Sequence, residues 1–123
     1  MLKSLLLVFL GGGLGAAVRF LIAKTSTQFF ETNFPISTLV SNVVASILLG
    51  VLVHQFNIRL DATQKALYLF LVIGFCGGLS TFSTFSMETF ELLKHGNYLV
   101  AILNVIISIS AGIGALMLLY KQQ

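Results

Sequence analysis

Four long apolar stretches, separated only by short polar or turn-forming connections, govern what this chain can become. A helix needs about 20 apolar residues to cross a bilayer core. Runs of that order stand at about 2–23, 36–53, 66–93 and 98–120, and they take up most of the 123 residues. The pattern predicts an all-α integral membrane protein, a single four-helix unit over 1–123 with no soluble part large enough for an active site. Composition agrees, since only 9% of the residues are charged against roughly 25% in soluble domains. Pro35 suits a helix start, as does Asn97 after Gly96. Met1–Leu10, with Lys3 ahead of an apolar run, has the look of a signal peptide, but no polar mature domain follows. It reads as the beginning of a retained helix.

The net charge of +3 could suggest nucleic acid, but the seven cations are scattered singly, so no nucleic-acid partner is expected. With four spans, Lys3, Arg59, Lys65 and Lys121 share one side of the membrane, and Arg19, Lys24 and Lys94 the other. Orientation follows an excess of Lys and Arg in cytoplasmic loops, and four against three is almost no instruction. Insertion both ways round is therefore open, beside a single orientation set by the weak bias. Four helices of this length pack shut around their own axis, so a pathway is expected between two copies.

Polar residues inside spans should face protein or a water-filled cavity. In the second span Thr38, Asn42, Ser46 and Gly50 recur every fourth residue along one face. In the fourth, Asn97, Ala101, Asn104, Ser108 and Gly112 form a similar stripe. Ser46 and Gly50 read best as close-packing positions, whereas the mid-span amides of Asn42 and Asn104 suit coordination of a permeating anion. The first span holds Gly11, Gly12, Gly13 and Gly15, of which Gly11 and Gly15 have helix-contact spacing. No phosphate loop is implied, because G-K-[ST] is missing and the segment lies in an apolar helix. Arg19, a turn inside the end of that span, either snorkels to the headgroups or draws anions toward a vestibule.

The third span carries the densest signal, Gly74-Phe75-Cys76-Gly77-Gly78-Leu79-Ser80-Thr81-Phe82-Ser83-Thr84-Phe85-Ser86, with five hydroxyls in its last seven residues. Such a run after paired glycines is where a membrane helix can unwind, so a mid-membrane break is expected. A break exposes carbonyls for a cation on one side and amides for an anion on the other. Phe82 and Phe85 share a face, as Thr81 and Thr84 do beside them. The positive ring edges of the two phenylalanines can line an anion path, although such pairs usually just pack.

On this motif, supported by Gly12-Gly13-Leu14-Gly15-Ala16, Arg19-Phe20, Thr38-Leu39, Asn42 and Ser46, the sequence resembles the CrcB/Fluc family of fluoride channels over its whole length. The resemblance implies an antiparallel, dual-topology homodimer in the bacterial cytoplasmic (inner) membrane, with two fluoride pathways along the subunit interface. It also implies a structural sodium ion at the dimer centre, held by the backbone carbonyls of Gly77 and Ser80. By the same resemblance Phe82 and Phe85 match the pore phenylalanines, Asn42 the pore asparagine and Arg19 the vestibule arginine. Thr81, Ser83, Thr84 and Ser86 fall in a polar track, Glu88 matches an acid beyond it, and Ser108 belongs to the pore lining. Ala45 and Ser80 stand where many relatives have Gly and Thr. The implied function is passive fluoride export from the cytoplasm, which relieves fluoride toxicity.

Two rival readings differ in testable ways. A small drug/proton antiporter needs a membrane-embedded carboxylate, for which the first three spans offer only Glu88, and a non-conducting scaffold would use its polar stripes only to hold helices. Enzyme activity is not expected. His54 and His95 flank spans without partner acids at ligand spacing, and the single Cys76 has nothing beside it to favour its thiolate. Tyr68, Tyr98 and Tyr120 read as interface anchors.

Overall fold

A computed structural model describes residues 1–56 and 61–120, for Tyr120 the backbone alone. Arg59 and Lys121, two of the cations in the topology count, lie outside the described residues, as does the Tyr120 side chain. The elements are α1 (Leu2–Phe29), α2 (Ile36–Gln55), α3 (Ala62–Leu67), a π-helical segment (Tyr68–Cys76), α4 (Gly77–Leu79), α5 (Phe82–Lys94) and α6 (Tyr98–Tyr120). No strand occurs among the described residues. Four stretches, Leu2–Phe29, Ile36–Gln55, Ala62–Lys94 and Tyr98–Leu119, are long and apolar enough to cross a membrane. The chain is an all-helical, multi-pass membrane protein.

Two helix ends lie beyond the apolar runs. α1 continues past Ala23 to Phe29, and the hydroxyls of its polar tail are spent on the preceding turn, Thr25 Oγ1 donating to the Leu21 carbonyl and Thr27 Oγ1 to that of Lys24, both at 2.8 Å. The third span begins at Ala62, not Ala66, because Asp61 and Gln64 form a capping box. Asp61 Oδ1 accepts the Gln64 N–H at 2.7 Å, and Gln64 Oε1 accepts the Asp61 N–H at 3.4 Å. α5 closes on a Schellman turn in which Gly96, at φ 78°, and Asn97 donate to the carbonyls of Leu93 and Leu92.

Backbone-to-backbone packing sets the frame. α1 lies along the π-helical segment and α4 so closely that a Cβ on Gly11 would meet the Phe70 carbonyl oxygen, one on Gly15 that of Phe75, and one on Gly78 that of Gly12. From the other side, a Cβ on Gly74 would come within 2.9 Å of the Val8 carbonyl oxygen. The expected Gly11–Gly15 contact is therefore one half of a two-sided glycine seam. α2 packs on α1 and α6, and α5 leans chiefly on α6. The core is small, built around Ala45, Val72, Cys76, Leu79, Leu92 and Ala101 with Thr38, Ser41 and Asn104. Leu5, Phe9, Ile106, Leu118 and many other large apolar side chains face outward, as a lipid-solvated surface requires.

Candidate functional site

Ser80 and Thr81 are extended, at φ −77°, ψ 156° and φ −152°, ψ 121°, between the helical Gly77–Leu79 and Phe82–Lys94. Side chains take over the hydrogen bonds that a continuous helix would have made. The Ser80 N–H and Oγ both donate to the Cys76 carbonyl at 3.0 Å. Thr81 caps α5, its Oγ1 accepting the Thr84 N–H at 3.2 Å. Asn42, across from it on α2, pairs with the Thr81 backbone at both ends: its Oδ1 accepts the Thr81 N–H at 2.7 Å, and its Nδ2 donates to the Thr81 carbonyl at 3.2 Å.

Around this point five of the predicted residues, Asn42, Thr81, Phe82, Phe85 and Ser108, line one groove of about 320 Å³ together with Ser46, Ser80 and Ile109. The two phenylalanine rings are 6.1 Å apart between centroids and tilted by 42°. Phe82 is 79% exposed, an open aromatic face beside hydroxyls and an amide. A second cavity of about 320 Å³ shares Thr81 and holds two more predicted residues, Arg19 and Thr84, with Thr38, Ser41 and Glu88. Ser83, on the exposed side of α5, lies 3.4 Å from Thr81 Oγ1 through its hydroxyl. Gly77 is exposed and lines neither space.

Arg19 turns inward, its Nε donating to the Gly78 carbonyl at 3.1 Å, so its cation stands at the C-terminal end of the first part of the third span. Glu88 Oε1 accepts from Thr38 Oγ1 at 2.8 Å, while Oε2 is buried with no hydrogen-bond partner. Arg19 and Glu88 share a cavity without forming an ion pair. Among the described residues, the ion-pair contacts are those of Glu91 with Lys94 at 4.0 Å and with His95 at 3.6 Å. Asn104 is only 1% exposed and spends both ends of its amide inside the chain, Nδ2 on Thr89 Oγ1 at 2.9 Å and Oδ1 on the Ser108 hydroxyl at 3.3 Å.

The most buried face of α2 is Thr38, Ser41 and Ala45, one step round the helix from the Thr38–Asn42–Ser46–Gly50 stripe. Sequence reasoning missed Ser41 and Thr89, hydroxyls whose spacing alone gave no reason to prefer them over their neighbours. The D-x-x-Q signature of the Asp61 cap was present and unread.

A carbonyl-bound cation can be tested against the backbone. In a continuous helix the Gly77 carbonyl would receive the Thr81 N–H, and the Ser80 carbonyl that of Thr84. Those donors go instead to Asn42 Oδ1 and Thr81 Oγ1, so both carbonyls are released from their helical partners and fit a hard, oxygen-seeking ion. Among the described residues no cluster of three His, Cys, Asp or Glu side chains could hold a metal.

A groove of hydroxyls, an amide and paired aromatic rings lies on a four-span helical frame, the frame of a multi-pass membrane protein. A family profile described as "CrcB-like protein, Camphor Resistance (CrcB)" matches residues 6–120, and the chain belongs to that family. It is 45% identical over 112 residues to the "Fluoride-specific ion channel FluC" of Pyrococcus furiosus, covering 91% of this chain and 89% of that one. Its similarity to the protein of the same name from Azobacteroides pseudotrichonymphae is 37% over 120 residues, covering 98% and 95%; for Citrifermentans bemidjiense it is 42% over 110 residues, covering 89% and 88%. These relatives are named for transport, not for catalysis.

Proposed function

We propose that this chain is one subunit of a fluoride-selective channel, with the Asn42–Thr81–Phe82–Phe85–Ser108 groove as one wall of the ion's path. The carrying observation is that groove itself, which combines an Asn42 amide with one N–H to spare and an aromatic face left 79% exposed in a single copy. A second, inverted copy laid against it would bury the phenylalanines and close the path, consistent with the nearly even cation count. The extended Ser80–Thr81 pair would then lie at mid-membrane. There the positive N-terminal end of α5, the ring edges and the spare Asn42 N–H replace fluoride's tight hydration, while a larger anion fits poorly.

The Gly77 and Ser80 carbonyls would hold a sodium ion at the seam between copies, where it supplies positive charge when bound. Arg19, at the second cavity, raises the local concentration of anions near the path. In a cell, fluoride leaks inward as the neutral acid, ionises in the more alkaline cytoplasm and is trapped. A passive pore in the cytoplasmic membrane releases it, driven by its gradient and by about 2.3 kcal/mol per charge per 100 mV of inside-negative potential.

Fluoride efflux from proteoliposomes tests the reading. The native chain should pass fluoride and not chloride, with efflux collapsing in Phe82→Ile and Asn42→Asp. Equal chloride efflux would end the proposal. The unpartnered oxygen of Glu88 keeps a proton-coupled antiporter as the second reading. Loss of transport in Glu88→Gln with survival of Phe82→Ile would favour it.

A further inference from the structure

We infer that Asn42 is a positioning residue for the backbone of the third span, the group that keeps Ser80–Thr81 extended and thereby leaves the Gly77 carbonyl free. This deepens the reading given under Proposed function, where Asn42 was only part of a wall.

The argument rests on where one N–H goes. Thr81 has a single backbone donor, and two acceptors compete for it: the Gly77 carbonyl four residues earlier, which would rebuild a continuous helix, and Asn42 Oδ1, which holds it at 2.7 Å. The same amide returns a bond from Nδ2 to the Thr81 carbonyl at 3.2 Å, so the extended residue is satisfied at both its polar ends by one side chain. In lipid an unwound residue without such partners leaves backbone groups bare, and the cheapest remedy is to wind back into the helix. The rest of Asn42 is anchored to match: its own carbonyl accepts the Ser46 hydroxyl at 2.9 Å, on a helix packed against α1 and α6.

Two donors and one acceptor make up a side-chain amide, and the Thr81 pairing uses one donor and the acceptor. One N–H of Asn42 therefore remains for the groove. A single residue thus joins two features that look separate in sequence, a spare donor on a residue lining the anion groove and a carbonyl without its helical donor. Gly77 itself is open, since a Cβ there would meet nothing within 4 Å.

The chain's three Gly–Gly peptide links, Gly11–Gly12, Gly12–Gly13 and Gly77–Gly78, make the claim measurable. Glycine labelled at the carbonyl carbon and the nitrogen isolates those three pairs by NMR in full-length protein in bilayers. In the native chain the Gly77 carbonyl should resonate as an acceptor without an amide donor. Asn42→Asp keeps the acceptor, so the Gly77 signal should stay in place even as the added charge abolishes fluoride efflux. Asn42→Leu removes the acceptor, so the signal should move to the hydrogen-bonded helical position while the Gly11 and Gly12 signals do not. Should the leucine variant fail to insert, Asn42→Ser, whose hydroxyl is too short to reach the Thr81 N–H, makes the same comparison. A Gly77 signal unchanged in the leucine or serine variant overturns the inference. A native chain that passes no fluoride would sink the channel reading instead, and the carbonyl comparison would still decide this one.

Discussion

Asn104 on α6 and Thr89 on α5 are joined side chain to side chain at 2.9 Å, and Thr89 in turn donates to the Phe85 carbonyl at 2.8 Å. With Ser108 bonded to the far side of the same amide, one buried residue links two of the helices that line the groove. Asn104 reads from sequence as an ion ligand; its bonds make it a strut. Asn104→Ala should lower stability by about 1–3 kcal/mol, the cost of unpairing buried polar groups. Thr89→Val should cost part of the same, and the double variant less than the sum. Thermal unfolding of the purified proteins in detergent checks the non-additivity.

The glycine seam gives a position-specific contrast. Gly78→Ala and Gly11→Ala push a methyl group into carbonyl oxygens of the facing backbone, which no side-chain rotation relieves, so each should cost at least the 1–3 kcal/mol of an overpacked core or block assembly. Gly114→Ala meets open space on α6 and should be neutral or slightly stabilising, by up to about 1 kcal/mol of helix propensity. Expression level and unfolding temperature of the three variants, side by side, decide it.

Thr38 supplies the hydrogen bond by which Glu88 is held to α2. Thr38→Val keeps the shape and strips that donor, leaving both carboxylate oxygens without a protein partner, and should destabilise by about 1–3 kcal/mol. Glu88→Gln keeps an acceptor for Thr38 and removes a charge whose second oxygen is buried without a partner, so it should be neutral or stabilising. A denaturant titration in which Glu88→Gln proved the weaker of the two would contradict this.

Gly96 closes α5 at φ 78°, a conformation that costs a residue with a Cβ about 1 kcal/mol. Gly96→Ala should lose about that much, and Gly96→Asn less, because Asn tolerates the left-handed region better. Both can be read from unfolding midpoints.

The spans were legible because uninterrupted apolar length is a one-dimensional property. Their ends were less so: α1 runs on into a polar tail, and the first turn of α3 is set by a capping box, neither of which hydropathy registers. The π-helical winding of Tyr68–Cys76 had no signal at all, its residues being ordinary apolar ones. Three of the five groove residues, Thr81, Phe82 and Phe85, share the groove because one short motif fixes its own faces; Asn42 and Ser108 reach it from polar stripes on two other helices. Periodicity could not say which way the α2 polar stripe turns, nor whether Asn42 and Asn104 spend their amides on solute or on protein, since both uses need the same residue at the same depth.

The two halves of the third span differ in mechanical character. α1 and the first part of the third span meet through main-chain atoms with no methyl-sized slack, so they cannot slide past each other without lifting apart. α5 has no such seam; polar pins at Thr38–Glu88 and Asn104–Thr89 hold its flank. Any breathing on the Phe82–Phe85 side of the groove is thus assigned to the phenylalanine-bearing half-span, while the glycine-seamed half stays fixed to α1.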